Sequence, residues 1–141
     1  LEALTEEFAP YVTGDPNRPR PATNPLLDDP SWGALYIWQG GRLTEGAARL
    51  PRTVEALAKL PIPRIAGRSP MALFSRLQPG THIRPHHGLL NTRLICHLPL
   101  IVPPGCALRV GDETREWREG ELLIFDDSFE HEAWNRGDDV R

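Results

Sequence analysis

Cysteine, methionine and long apolar runs are scarce in this chain of 141 residues: two cysteines, one methionine and no extended hydrophobic segment. Each scarcity excludes something. Two cysteines cannot build a disulfide-dense secreted scaffold. Cys96 lies in a strand-like run and Cys106 follows a Pro-Pro-Gly turn, and both are read as reduced, buried thiols in a reducing, cytoplasmic compartment. No stretch approaches the roughly 20 apolar residues that carry a helix across a bilayer, so no membrane span is expected. No signal-peptide pattern opens the chain. Excess charge of one sign is also missing. Sixteen basic and 19 acidic residues leave a formal net charge of −3, interspersed along the sequence, which argues against a nucleic-acid partner. There is no Gly-x-Ser-x-Gly elbow for a serine hydrolase, no phosphate loop and no dinucleotide fingerprint.

Proline (15) and glycine (12) are plentiful. The hydrophobic content of 40% suits one domain with a real core. Residues 1–9 read as the last turns of a helix, with Leu1, Leu4 and Phe8 on one face and Pro10 as the stop. Residues 13–30 are rich in Pro, Asn, Arg and Asp and read as an extended surface arm. WGALYIW, residues 32–38, is dense in aromatic and β-branched side chains and reads as a strand. LPRTVEALAKLP reads as a helix with Pro51 in its first turn and Val54, Leu57 and Leu60 on its apolar face.

From residue 71 onward, short apolar runs alternate with Pro-Gly, Gly-Asp and Glu-Gly turns, the pattern of an antiparallel barrel or sandwich. Alternation in residues 71–77 puts Leu73, Ser75 and Leu77 on one inward face. A second run, residues 92–101, carries Leu94, Cys96 and Leu98 on one face and Arg93, Ile95 and His97 on the other. CALRV turns at Gly111-Asp112 and pairs back through residues 113–118. LLIF, residues 122–125, is fully apolar and is expected to be central. His131 and Ala133 share one face of the last strand, with Glu130, Glu132 and Trp134 on the other.

The chemistry rests on histidine. Five are present: His82, His86 and His87 in one short stretch, then His97 and His131. A lone histidine is more often structural, but a cluster with a distant partner suits iron, zinc or copper, and an all-histidine site with open positions is catalytic rather than structural. The two-histidine, one-carboxylate arrangement needs an acidic residue two positions after its first histidine; here that residue is Gly88. The residues alone therefore leave a metal site and buried structural histidines both open.

FSRLQPGTHIRPHHG, NTRLICHLPL and GCALRVGDETREWREGELLIFDDSFEHEAW together resemble the catalytic domain of the aspartyl/asparaginyl β-hydroxylase family, as in its bacterial members, and PRTVEAL is similar as well. The resemblance implies a mainly β double-stranded β-helix, a cupin-like jelly roll with flanking helices. It implies Fe(II)- and 2-oxoglutarate-dependent hydroxylation of a carbon centre, foremost the β-carbon of Asp or Asn in a peptide or protein, with succinate and CO2 as co-products. Carried onto this sequence, the two iron ligands are His86 and His131, the catalytic pair, and Gly88 stands where a carboxylate ligand would. Ser75 and His97 would contact 2-oxoglutarate, and Arg141 would clamp its distal carboxylate. Ile95 departs from the pattern, replacing an arginine of the vertebrate enzyme; Arg93, two residues earlier, could face the same side. Asp126 and Asp127 would orient the strand end and hold the tautomer of His131.

The resemblance also divides the chain: residues 1–31 as the end of a preceding helix plus an arm, and residues 32–141 as an oxygenase-like β-domain cut short at its C-terminal end. The partners implied are 2-oxoglutarate, O2 and a peptide, protein or amino-acid-like substrate, with an N-terminal helical repeat domain in the full-length protein. The alternative is a cupin-like metal or small-ligand binding module without turnover.

Overall fold

The computed structural model describes residues 1–12 and 32–137. The arm read over residues 13–30, and the clamp expected at Arg141, lie outside them. The fold class is mainly β and jelly-roll-like, as the sequence predicts, with two α-helices among the described residues. The described residues divide into two compact units, one combining the N-terminal helix with Gly33–Arg76, the other holding Trp32 and the residues from Leu77 onward.

The first unit contains helix α1 (Glu2–Val12), strand β2 (Arg42–Leu43), helix α2 (Pro51–Ala58), and strands β1 (Trp32–Gln39) and β3 (Ala72–Leu77) apart from their end residues Trp32 and Leu77. β1 lies between β2 and β3. α1 runs past Pro10, where it was expected to stop. A proline forfeits one backbone hydrogen bond, which a final turn can lose without ending. Phe8 of α1 stacks on Phe74 of β3 at 4.3 Å between ring centroids, and both are buried. That stack corrects the face assigned to β3. Phe74 is the buried residue and Ser75, on the other face, is exposed rather than inward.

The face of α2 is likewise set by its neighbour. Leu50 and Thr53 are fully buried, whereas Leu60 is exposed. The Glu7 carboxylate of α1 accepts hydrogen bonds from the backbone N–H groups of Arg52 (2.9 Å) and Thr53 (2.8 Å) and from the Thr53 hydroxyl (2.7 Å). It thereby satisfies orphan donors of the first turn of α2 and complements the positive end of its dipole.

The second unit holds β4 (His82–His86), β5 (Ile95–His97), β6 (Cys106–Val110), β7 (Glu113–Glu116), β8 (Leu123–Phe125) and β9 (His131–Asn135). Four of them form an antiparallel sheet in the order β4-β9-β6-β7, and β5 pairs with β8 in a second, two-stranded sheet. β6 and β7 are joined by a two-residue turn opening on Gly111 at φ +55°, a left-handed value that favours glycine. His131, Ala133 and Asn135 alternate as buried residues along β9, with Leu108 and Cys106 of β6 buried beside them. Asn135 is the last residue of β9. Its side-chain amide donates to the Leu77 carbonyl (2.9 Å), and its Oδ1 accepts from the Gly137 N–H (3.0 Å).

Two expectations for the small sheet fail. β5 is only three residues long, and β8 has one described partner, so Leu122 and Ile124 are exposed rather than central. Cys96 sits opposite Ile124 on the outward face and is exposed. Cys106 is buried, and both thiols are free.

Candidate active site

β4 and β9 would not bring two histidines together by alternation alone. His82 pairs with Trp134 and Ile83 with Ala133, yet the next pair in register is His86 with His131. Three residues of β4 thus span two of β9. The extra residue is a β-bulge over Arg84-Pro85, where Pro85 has no N–H to offer a ladder. A one-residue bulge inverts the parity of every later side chain. His86 consequently joins the inward face of Ile83, Ala133 and His131 instead of the outward face of His82. The two imidazoles stand 4.1 Å apart between centroids, tilted by 56°.

Each ring of the pair is held the same way. Nδ1 of His86 lies 2.7 Å from the Arg84 carbonyl, and Nδ1 of His131 lies 2.9 Å from the Phe129 carbonyl. A carbonyl can only accept, so each Nδ1 carries the proton and donates. Burial lowers the His131 pKa, the Phe129 bond opposes this, and the nearby His86 reinforces it. A neutral His131 protonated on Nδ1 has a bare Nε2, the form a metal binds. The tautomer of His131 is therefore set by a backbone carbonyl, not by Asp126 or Asp127 as expected. Asp126 instead accepts from the Ser128 N–H at 2.9 Å.

Asp127 has a different place. Its carbonyl accepts from the Gly88 N–H at 2.6 Å, and its carboxylate fills the space beside Gly88 where a side chain would start. A Cβ on residue 88 would lie 2.2 Å from Asp127 Oδ2. Arg93 Nη2 donates to that oxygen at 2.7 Å, while Oδ1 is buried without a hydrogen-bond partner. The missing side chain at residue 88 thus makes room for a buried carboxylate next to the histidine pair. Asp127 carries enough charge there to oppose the fall in the His131 pKa. Arg93, the stand-in considered for the arginine absent at Ile95, is committed to this carboxylate.

His97 comes from the small sheet. It meets Phe125 edge-to-face at 5.0 Å, and Phe125 in turn lies 5.6 Å from His131, so the two sheets meet across these rings. Burial, reinforced by the neighbouring His131, pushes the His97 pKa down to about 4. The Trp117 indole N–H donates to its Nδ1 at 3.3 Å.

The remaining histidines lie elsewhere. His82 Nε2 is 2.6 Å from Glu132, on the other side of the sheet, where Arg109 also holds Glu132 at 2.5 Å. His87 Nδ1 bonds the Ser128 carbonyl at 3.0 Å. Among the described residues no three His, Cys, Asp or Glu side chains converge into a metal cage. The structure thus brings together His86 and His131, with His97 joined to them through Phe125. Ser75 belongs to the first unit. Arg141 lies outside the described residues.

Comparison with known proteins settles the family. The model of the family described as aspartyl/asparaginyl beta-hydroxylase matches residues 1–141. The chain belongs to this family. It is similar to the human aspartyl/asparaginyl beta-hydroxylase, 41% identical over 123 residues, covering 86% of this chain but 16% of the human protein. The ornithine lipid ester-linked acyl 2-hydroxylase of Rhizobium tropici is 38% identical over 120 residues, 82% of this chain and 41% of that protein. The mouse aspartate beta-hydroxylase domain-containing protein 2 is 40% identical over 102 residues, 72% of this chain and 30% of that protein. The chain thus spans less than half the length of each of these relatives.

Proposed function

We propose that this chain is the catalytic β-domain of an Fe(II)- and 2-oxoglutarate-dependent hydroxylase. The observation that carries the reading is the His86–His131 pair: two imidazoles from neighbouring strands, 4.1 Å apart between centroids, both with Nδ1 donating to a carbonyl, which leaves Nε2 of each ring bare. That donor set fits a divalent transition metal such as iron, with few protein ligands and open positions.

Iron, when bound, would supply the redox chemistry that couples decarboxylation of 2-oxoglutarate to succinate and CO2 with insertion of oxygen from O2 into a substrate C–H bond. The protein's share is placement. His86 and His131 would hold the metal, and Phe125 packs against both His131 and His97. His97 contacts the cosubstrate. On the family motif alone, Ser75 would contact the cosubstrate and Arg141 would clamp its distal carboxylate. Ile95 presents no charge for that carboxylate, so the proposed clamp depends on Arg141.

The substrate favoured is the β-carbon of an Asp or Asn residue in a peptide or protein, in keeping with the family's name. The likeness to the Rhizobium hydroxylase supports a lipid acyl chain as a second reading. Succinate formation by the full-length protein, supplied with Fe(II), O2 and 2-oxoglutarate, tests the reaction class. The wild type is expected to produce it, and His86→Ala and His131→Ala are expected not to. Undiminished turnover in either variant would sink the ligand assignment. No turnover in the wild type would leave a metal-binding module.

A further inference from the structure

We infer that Trp117 is a positioning residue that fixes the tautomer of His97, so that this imidazole presents an Nε2–H donor to an anionic cosubstrate at the His86–His131 pair. The functional half of this inference rests on the hydroxylase reading; the tautomer does not.

An indole N–H can only donate, and its acceptor here is Nδ1 of His97, 3.3 Å away. Nδ1 must therefore be bare, and in a neutral ring the proton sits on Nε2. The bond also excludes the imidazolium, which would set two N–H groups against each other. Burial works in the same direction by holding the ring neutral. Phe125 crosses the His97 ring edge-to-face at 80°, and the Trp117 ring lies 5.9 Å away at 39°, so the imidazole is packed as well as bonded.

This tautomer is opposite to that of the other two histidines. His86 and His131 keep the proton on Nδ1, each giving it to a carbonyl two residues earlier in the chain. The three imidazoles therefore divide by chemistry: two bare Nε2 atoms suited to a cation, and one Nε2–H suited to an oxyanion. Without the indole bond, His97 could move its proton to Nδ1 and offer a third lone pair. It would then repel a carboxylate that needs a donor. Trp117, just beyond the end of β7, thus couples the β6–β7 hairpin to the chemistry of the small sheet.

The test uses the full-length protein with isotope-labelled histidine and compares wild type with Trp117→Phe, which keeps an aromatic ring and removes the N–H. Nitrogen NMR of His97 in the wild type is expected to show a bare Nδ1 and a protonated Nε2; the variant is expected to show the two tautomers mixed. The KM for 2-oxoglutarate should rise about fivefold at nearly unchanged kcat, the equivalent of one neutral hydrogen bond. In a His97→Leu background the same substitution should change nothing further. A wild-type His97 protonated on Nδ1 overturns the inference, even where Trp117→Phe fails to fold. A pure Nε2–H tautomer in a protein that does not bind 2-oxoglutarate would overturn the hydroxylase reading and leave the hold of Trp117 on His97 standing.

Discussion

Gly88→Ala asks whether the buried carboxylate beside the histidine pair takes the space of an absent side chain. The new Cβ would lie 2.2 Å from Asp127 Oδ2, 2.4 Å from Cγ and 2.8 Å from Oδ1. No packed pair of heavy atoms tolerates this, so one group must move. Asp127 is poorly placed to yield. Its side chain is buried, Arg93 holds Oδ2 at 2.7 Å, and its carbonyl is tied to the Gly88 N–H at 2.6 Å. Gly88 is not among the glycines with positive φ, so the penalty is steric rather than torsional. Overpacking of this kind costs about 1–3 kcal/mol. The reduced freedom of alanine in the unfolded chain returns about 0.4–1 kcal/mol. The net expectation is destabilisation on the order of 1–2 kcal/mol, read as a lower urea midpoint at unchanged slope. In an Asp127→Ala background the Cβ meets no carboxylate, and the penalty of Gly88→Ala should largely vanish. Wild-type stability of the single variant, or the same loss in both backgrounds, would refute the reasoning.

Acid stability should depend on Glu7. Burial raises its pKa, but the Thr53 hydroxyl and the two backbone N–H groups outweigh that and hold it below the ordinary glutamate value of 4.5. A carboxyl depressed on folding stabilises above its unfolded pKa and loses that contribution as pH falls through the folded value. Urea denaturation of Glu7→Gln should therefore show lower stability near neutrality and a flatter acid limb below about pH 4.5; an unchanged limb would remove Glu7 from the account. His97, with its pKa pushed to about 4, should stay neutral from about pH 8 down to about pH 5. Its ring proton NMR signals should stay fixed over that range, and movement near the ordinary histidine value of 6.5 would contradict the burial found for it.

Much of the strand order was legible because turns are written in glycine and proline. Gly111-Asp112 and Pro79-Gly80 both bound strands where expected, and CALRV is β6 from end to end. The histidine pair was legible only through the family likeness. Alternation along β4 predicts that His86 shares the face of His82, and the bulge that reverses this depends on how β4 registers against β9, some fifty residues away. Faces failed where a partner decides them. Ser75 was placed inward because Leu73 and Leu77 flank it, but Phe8 of α1 selects Phe74. LLIF was expected to be central because it is apolar, yet only β5 lies beside it among the described residues. The Asp127–Gly88 contact and the Trp117–His97 bond are tertiary, and nothing in local spacing announces them. A tryptophan beyond a hairpin strand and a glycine in a histidine cluster are the only hints.

The central claim is that His86 and His131 hold iron in a form that accepts 2-oxoglutarate. Anaerobic addition of Fe(II) and then 2-oxoglutarate to the full-length protein, followed by visible absorption, tests it most directly. The account predicts a metal-to-ligand charge-transfer band that requires both additions and is lost in His86→Ala and in His131→Ala. A folded wild-type protein that gives no band, or a band that survives in both variants, would contradict it.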